Sequence, residues 1–426
     1  MPRPVRRALH SALPLLGALA VLAGGFTTPA AAEDMRARQW YLDSMRADDI
    51  WKVSRGEGVT VAVLDSGVDS SVPELNGQVL KGVDMSVRPL DANQDQDGHG
   101  TGMAALIAGK AVGEGIHGLA PGVKILPVRT APDTTDRLWG KAIRYAVDNG
   151  ARVINISMAG PGNLENSPLT EAAVKYALSK GSLIFAGSGN DGEDGNLTNF
   201  PAAIPGVVSV GAIDQSGTVT KWSNSASNVA LAAPGDEIPG RCRKSEGFCA
   251  TTGTSAATAI VSASAALIWA KHPGWTNNQV LRVMMDTAGK PTTGKVPSIY
   301  IGYGIVRPRK VLVDGEGDPG PADVNPLLAA AGASTSKQPS PQPSQEKKSD
   351  SKAHAPAPEK TENASGSSGN TGLWIGIGAG AAVVVAGAAT AALVRQRKRA
   401  AAQAMYADPY SPTAPPPPPY GPGCGQ

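Results

Sequence analysis

The chain has 426 residues, a formal net charge of +3 and only 4% aromatic residues. So balanced a charge with so few rings excludes the basic stripe or base-stacking platform of a nucleic-acid binder, and gives no sign of a preference for acidic ligands. The length exceeds one ordinary domain, so part of the chain is expected to lie outside the folded core.

Residues 1–32 read as a secretory signal peptide. Arg3, Arg6 and Arg7 precede an apolar run over 12–23, and Ala30-Ala31-Ala32 offers a small-residue cleavage site. Residues 33–50 form a short N-terminal extension, expected to wrap the surface of the domain that follows. That domain covers 51–313. Buried strands are predicted at 59–64, 124–128, 153–156, 183–186 and 207–210, and helices at 137–148, 169–180, 254–272 and 277–287. The strands are Val- and Ile-rich without alternation, so both of their faces are buried. This pattern predicts an α/β domain with a mainly parallel sheet and helices on each side.

Over 314–370 the composition turns to Pro, Ser, Lys, Gln and Gly, too few apolar residues to enter a core, and predicts a disordered linker. Residues 371–394 hold an uncharged stretch long enough to cross a bilayer as one helix. A buried Ala-rich core helix is the competing reading. Arg395, Arg397, Lys398 and Arg399 follow at once and by the positive-inside rule stay in the cytoplasm. Residues 395–426 then form a basic, Pro-rich tail that either offers a polyproline ligand or has no partner. The chain is thus expected at the cell membrane, single-pass, held in lipid by one helix, with the folded domain outside the cell.

Three cysteines occur. Cys242 and Cys249 fall in the exported part, where a disulfide is permitted, although two free thiols are also compatible with the sequence. A bridge would close a small loop worth about 2.5 kcal/mol. Cys424 belongs to the tail and is expected to be reduced. With no clustered histidines, neither a metal nor a cofactor is expected.

Chemistry concentrates in four segments. Asp65 ends the apolar strand Val61-Ala62-Val63-Leu64-Asp65, where functional groups of α/β sheets collect; capping the Ser66-Gly67 turn is its alternative use. His99 sits in Gly98-His99-Gly100-Thr101 at the head of a helical run, and a helix N-terminus favours a neutral ring. Ser255, in Gly253-Thr254-Ser255-Ala256-Ala257, opens a long helix of small residues. Its hydroxyl needs a base to become a nucleophile, and its own N–H faces developing negative charge. Asn190, in a Gly-rich loop after a buried strand, can supply a second oxyanion donor or simply turn the chain.

Aspartate, histidine and serine in that order, with these motifs, resemble the subtilisin-like serine proteases. The resemblance covers about 51–313. It implies a three-layer α/β/α fold, a catalytic Asp65–His99–Ser255 triad, an oxyanion hole from Asn190 and the Ser255 N–H, and protein or peptide substrates. It also implies a substrate-binding strand at Ser157, Met158, Ala159 and Gly160, with Gly187, Ser188 and Gly189 as the opposite wall of the pocket. Asp191 could favour a basic side chain at the pocket rim. The order of signal peptide, short extension, protease domain, Pro-rich linker, single span and basic stop is similar to the mycosins, membrane-anchored proteases associated with type VII secretion in actinobacteria. That likeness implies secretion-system membrane components as partners. Ala259 stands where the family carries proline and Ala263 where it carries glycine, so contacts near the nucleophile are expected to differ. A mainly structural role in a secretion complex and a general cell-surface protease are the alternatives.

Overall fold

A computed structural model describes residues 35–335 apart from 87–88, 113–114, 132–133, 159 and 244–246. The signal peptide, the linker beyond 335, the membrane span and the tail expected from the sequence lie outside the described residues. Among the described residues no helix is long and apolar enough to cross a membrane.

Three short helices come first, α1 (Met35–Arg38), α2 (Trp40–Ser44) and α3 (Ala47–Trp51). β1 (Thr60–Asp65), β2 (Val83–Asp84), α4 (His99–Ala108), β3 (Lys124–Arg129), α5 (Asp136–Asp148), β4 (Val153–Ile156) and β5 (Gly160–Pro161) follow. Next are α6 (Pro168–Ser179), β6 (Leu183–Gly187), β7 (Asn199–Phe200), β8 (Val208–Ile213), β9 (Val229–Pro234), β10 (Ile238–Arg241) and β11 (Phe248–Thr251). The helices α7 (Thr254–Lys271), α8 (Asn277–Asp286), α9 (Pro308–Leu312) and α10 (Pro326–Thr335) complete the described chain.

Seven strands form one parallel sheet in the order β2-β3-β1-β4-β6-β8-β9. Successive side chains of a strand point to opposite faces, and here both faces are apolar. Val61 and Val63 of β1 join a core shared with α4, α7 and α8. Ala62 and Leu64 join a second core with Ala142, Ile143 and Ala146 of α5 and Ala173, Val174 and Ala177 of α6. Each buried Val, Leu or Ile side chain contributes about 1.5–3 kcal/mol, and each alanine methyl roughly 0.8 kcal/mol. The result is the expected three-layer α/β/α arrangement.

The sheet order also fixes where a site can form. β1 lies between β3 and β4, reached by connections over opposite faces, so the chain leaves the carboxyl end of β1 at a switch point. Asp65 is the last residue of that strand. α7 runs beneath the sheet with apolar and small residues on all sides, as a helix buried all round requires. Ala259 and Ala263 are both fully buried in that core.

The described part of the extension, residues 35–50, lays one face into the domain and leaves the other exposed: Tyr41, Leu42 and Ile50 are fully buried, Arg38, Asp43 and Asp48 are exposed, and Gln39 clasps the backbone of His117 through both ends of its amide. One expectation is corrected: the start of the expected linker is ordered. Residues 319–324 are pinned by α8 side chains, with Arg282 donating to the carbonyls of Pro319 and Val324 and Gln279 to that of Gly320. Backbone carbonyls held by buried or half-buried donors substitute there for the apolar side chains that the composition lacks.

Candidate active site

β1 delivers Asp65 fully buried at the sheet's carboxyl edge. Its Oδ1 accepts from the Ser66 N–H at 2.8 Å and from His99 Nδ1 at 2.7 Å. A carboxylate on Nδ1 places the ring proton there and leaves Nε2 as the acceptor facing outward.

His99 is the first residue of α4, and its approach to Asp65 depends on the two glycines around it. Gly98 adopts φ 85°, a left-handed conformation that glycine enters without cost. A Cβ on Gly100 would overlap the Gly67 carbonyl and crowd Asp65. The start of α4 is held further by Asp95, whose carboxylate accepts from the N–H groups of Gly98 and Thr101, and by Ser66 Oγ, which accepts from the Gly100 N–H.

Burial is the largest influence on the His99 ring and works against its charged form. The charge of Asp65 and its hydrogen bond together outweigh it, so the pKa stands raised. Asp97 adds to the rise and Arg243 opposes it. A helix N-terminus alone would lower this pKa; a buried carboxylate in contact exceeds a helix-end partial charge.

Ser255 lies in the first turn of α7, where backbone N–H groups have no partner within the helix. Its hydroxyl donates to the Ser157 carbonyl at 2.9 Å, and the Ser157 hydroxyl donates to the Ser255 carbonyl at 3.1 Å. Asn190 meets the same helix end. Its Oδ1 accepts from both the N–H and the hydroxyl of Thr254, at 2.9 and 3.0 Å, which leaves its Nδ2 donor toward the cleft.

Asp65, His99, Asn190 and Ser255 line one cleft of about 1100 Å³, together with Ser157, Met158, Gly160, Gly187 and Gly189. Ser188 does not: it is buried and its hydroxyl donates to the Asn224 carbonyl. Ala159 lies outside the described residues. Cys242 and Cys249 are joined in a disulfide across the β10–β11 hairpin.

The model of the subtilase family matches residues 56–304, which contain every one of these groups. The chain belongs to the subtilase family, a family of serine proteases. Subtilisin E of Bacillus subtilis (strain 168) is 36% identical over 258 residues, which cover 59% of this chain and 65% of that protein. Among solved structures, MycP1 from Mycobacterium smegmatis shares 28% identity at a TM-score of 0.59, covering 67% of this chain and 86% of that one. The MycP3 protease from the type VII (ESX-3) secretion system shares 31% identity at a TM-score of 0.56, covering 64% and 88%.

Within this subtilase several supporting residues carried no readable signal. Asn155 is fully buried; its Nδ2 donates to Ser157 Oγ at 2.9 Å and its Oδ1 accepts from Ser262 Oγ at 3.0 Å. A polar chain thus links the middle of α7 to the nucleophile. Asp191 is committed to the loop, accepting from Asn224 Nδ2 at 2.6 Å and from the Leu197 N–H at 2.9 Å. Asp191 also lines the cleft, so its loop holds a carboxylate at the rim.

Proposed function

We propose that this subtilase is a serine endopeptidase in which Asp65 orients His99, His99 takes the proton of Ser255, and Ser255 attacks a peptide carbonyl. One observation carries the reading: a fully buried carboxylate holds His99 Nδ1 at 2.7 Å on the wall of the same cleft that contains Ser255 and Asn190. A substrate strand laid along Ser157 and Met158 takes up the Ser157 carbonyl, which releases the Ser255 hydroxyl toward His99 Nε2. The tetrahedral oxyanion then rests on Asn190 Nδ2 and the Ser255 N–H. His99 returns the proton to the leaving amine, and water resolves the acyl-enzyme. Hydrolysis of an internally quenched peptide by the full chain tests this, with a burst of acyl-enzyme expected on an ester substrate.

The physiological setting we propose is an extracytoplasmic protease held by one membrane helix and serving type VII secretion. The likeness to MycP1 and MycP3 supports it, as do the apolar segment at 371–394 and the arginines after it. Its substrates are then exported proteins. In a strain carrying Ser255→Ala, processing of secreted proteins should be lost; unchanged processing would contradict the role.

A further inference from the structure

The wall beside His99 carries a second charged pair that catalysis as described leaves unused. Asp97 stands two residues before His99, and both line the cleft. Arg243 reaches it from 146 positions away in sequence, with Nε on one carboxylate oxygen and Nη2 on the other, each at 2.9 Å. Such a two-pronged pair fixes geometry as well as charge.

Arg243 is itself held in place. It follows Cys242, whose disulfide to Cys249 closes the β10–β11 hairpin, and the Cys242 N–H donates to the Gly247 carbonyl at 3.1 Å. One residue earlier, Arg241 Nη1 lies 2.8 Å from Oε1 of Glu74, a buried carboxylate beneath the hairpin. β11 then leads through Gly253 into Ser255, so one hairpin joins the nucleophile's approach to the rim beside the base.

We propose that Arg243 is a positioning residue for the catalytic base: by engaging Asp97 it keeps that carboxylate from acting on the His99 imidazole, and so sets the pH above which His99 can accept a proton. The charged groups acting on the ring are Asp65 and Asp97, which favour its protonation, and Arg243, which opposes it. Asp95 acts on Arg243 and is occupied in holding the start of α4. Asp65 cannot be relieved of its task, because it orients the ring. Asp97 can, and a cation at its carboxylate opposes its field at His99 without touching the Asp65 bond.

The inference rests on His99 acting as the base. If the wild-type chain has no peptidase activity, that reading fails first; the test below compares variants against an active wild type. The measurement is the acid limb of kcat/KM against pH for the full chain at low ionic strength. Arg243→Gln should move the limb up by roughly 0.5–1 pH unit, the scale of one unit charge several ångströms away at a partly exposed site. Arg243→Lys, which keeps the charge, should leave it near the wild-type position. Asp97→Asn should move it down, because Arg243 then acts on the ring unopposed. In the Asp97→Asn/Arg243→Gln double variant the two shifts should largely cancel. A limb that stays put in Arg243→Gln while activity drops uniformly at every pH would overturn the proposal. So would an upward shift that persists undiminished in the double variant. Arg243 is more than half exposed, so its replacement leaves the core undisturbed.

Discussion

Ser255 and Ser157 are laced to each other twice, the hydroxyl of each donating to the carbonyl of the other at 2.9 and 3.1 Å. The nucleophile and the strand proposed to receive the substrate are therefore one mechanical unit. Asn155 and Ser262 continue that unit into the interior of α7.

Ser262→Ala should cost about 1–3 kcal/mol of stability, because Asn155 Oδ1 is fully buried and loses its donor. Urea unfolding measures it. Since the same chain reaches Ser255, kcat should fall more than KM rises. A double variant with Asn155→Ala should show strong non-additivity, the mark of residues sharing one network.

Asn190→Ala should lower kcat by roughly 10²–10³-fold with KM nearly unchanged, the signature of a donor used only in the transition state. Stability should drop by about 1 kcal/mol, because the Thr254 N–H loses its acceptor. Steady-state kinetics alongside thermal unfolding separate the two effects, and an unaltered kcat would remove Asn190 from the oxyanion hole.

The pH dependence follows from the raised pKa of His99. Activity requires the neutral ring, so it should be present above the folded pKa and be lost as pH falls through it, at a value above the free-histidine figure of about 6.5. Stability runs the other way. Protonation favours the folded state, so the increment is complete below about 6.5 and disappears as pH rises through the folded pKa. Asp65→Asn should abolish that increment and lower kcat by about 10⁴-fold, through loss of the correct tautomer. Titration of the ring by NMR in both proteins checks the sign.

Gly100→Ala should destabilise the protein by about 1–3 kcal/mol and reduce activity, because the added methyl meets the Gly67 carbonyl and the side chain of Asp65. Ala is a better helix former than Gly, so a stabilised variant would show that the close approach of α4 to β1 is not required. Thermal unfolding decides between them.

The legible parts of this protein were those with a local signature. Val- and Ile-rich runs marked β1, β3, β4, β6 and β8, and glycine-bracketed motifs marked Asp65, His99, Asn190 and Ser255. β9 has no such signature, because Val229-Ala230-Leu231-Ala232-Ala233-Pro234 is Ala-rich and ends in proline, and its strand form comes from parallel pairing with β8. The early helices were hidden by length, since five residues in α2 carry no readable period. The supporting pairs were illegible for a different reason. Ser262 and Asn155 are 107 residues apart and Arg243 and Asp97 146, and only the fold brings them together. Ser188 departs from its expected place on the pocket wall because neighbours in a tight loop need not face the same way: Gly187 and Gly189 line the cleft while the Ser188 hydroxyl turns to Asn224.

The most direct test of the central claim is covalent labelling of the full chain with a fluorophosphonate, which reacts only with a serine activated by its base. The wild-type protein should label at one site, mapped to Ser255, and Ser255→Ala should not label while retaining the same far-UV circular dichroism. A folded wild-type protein that fails to react, or equal labelling of the alanine variant, would contradict the assignment.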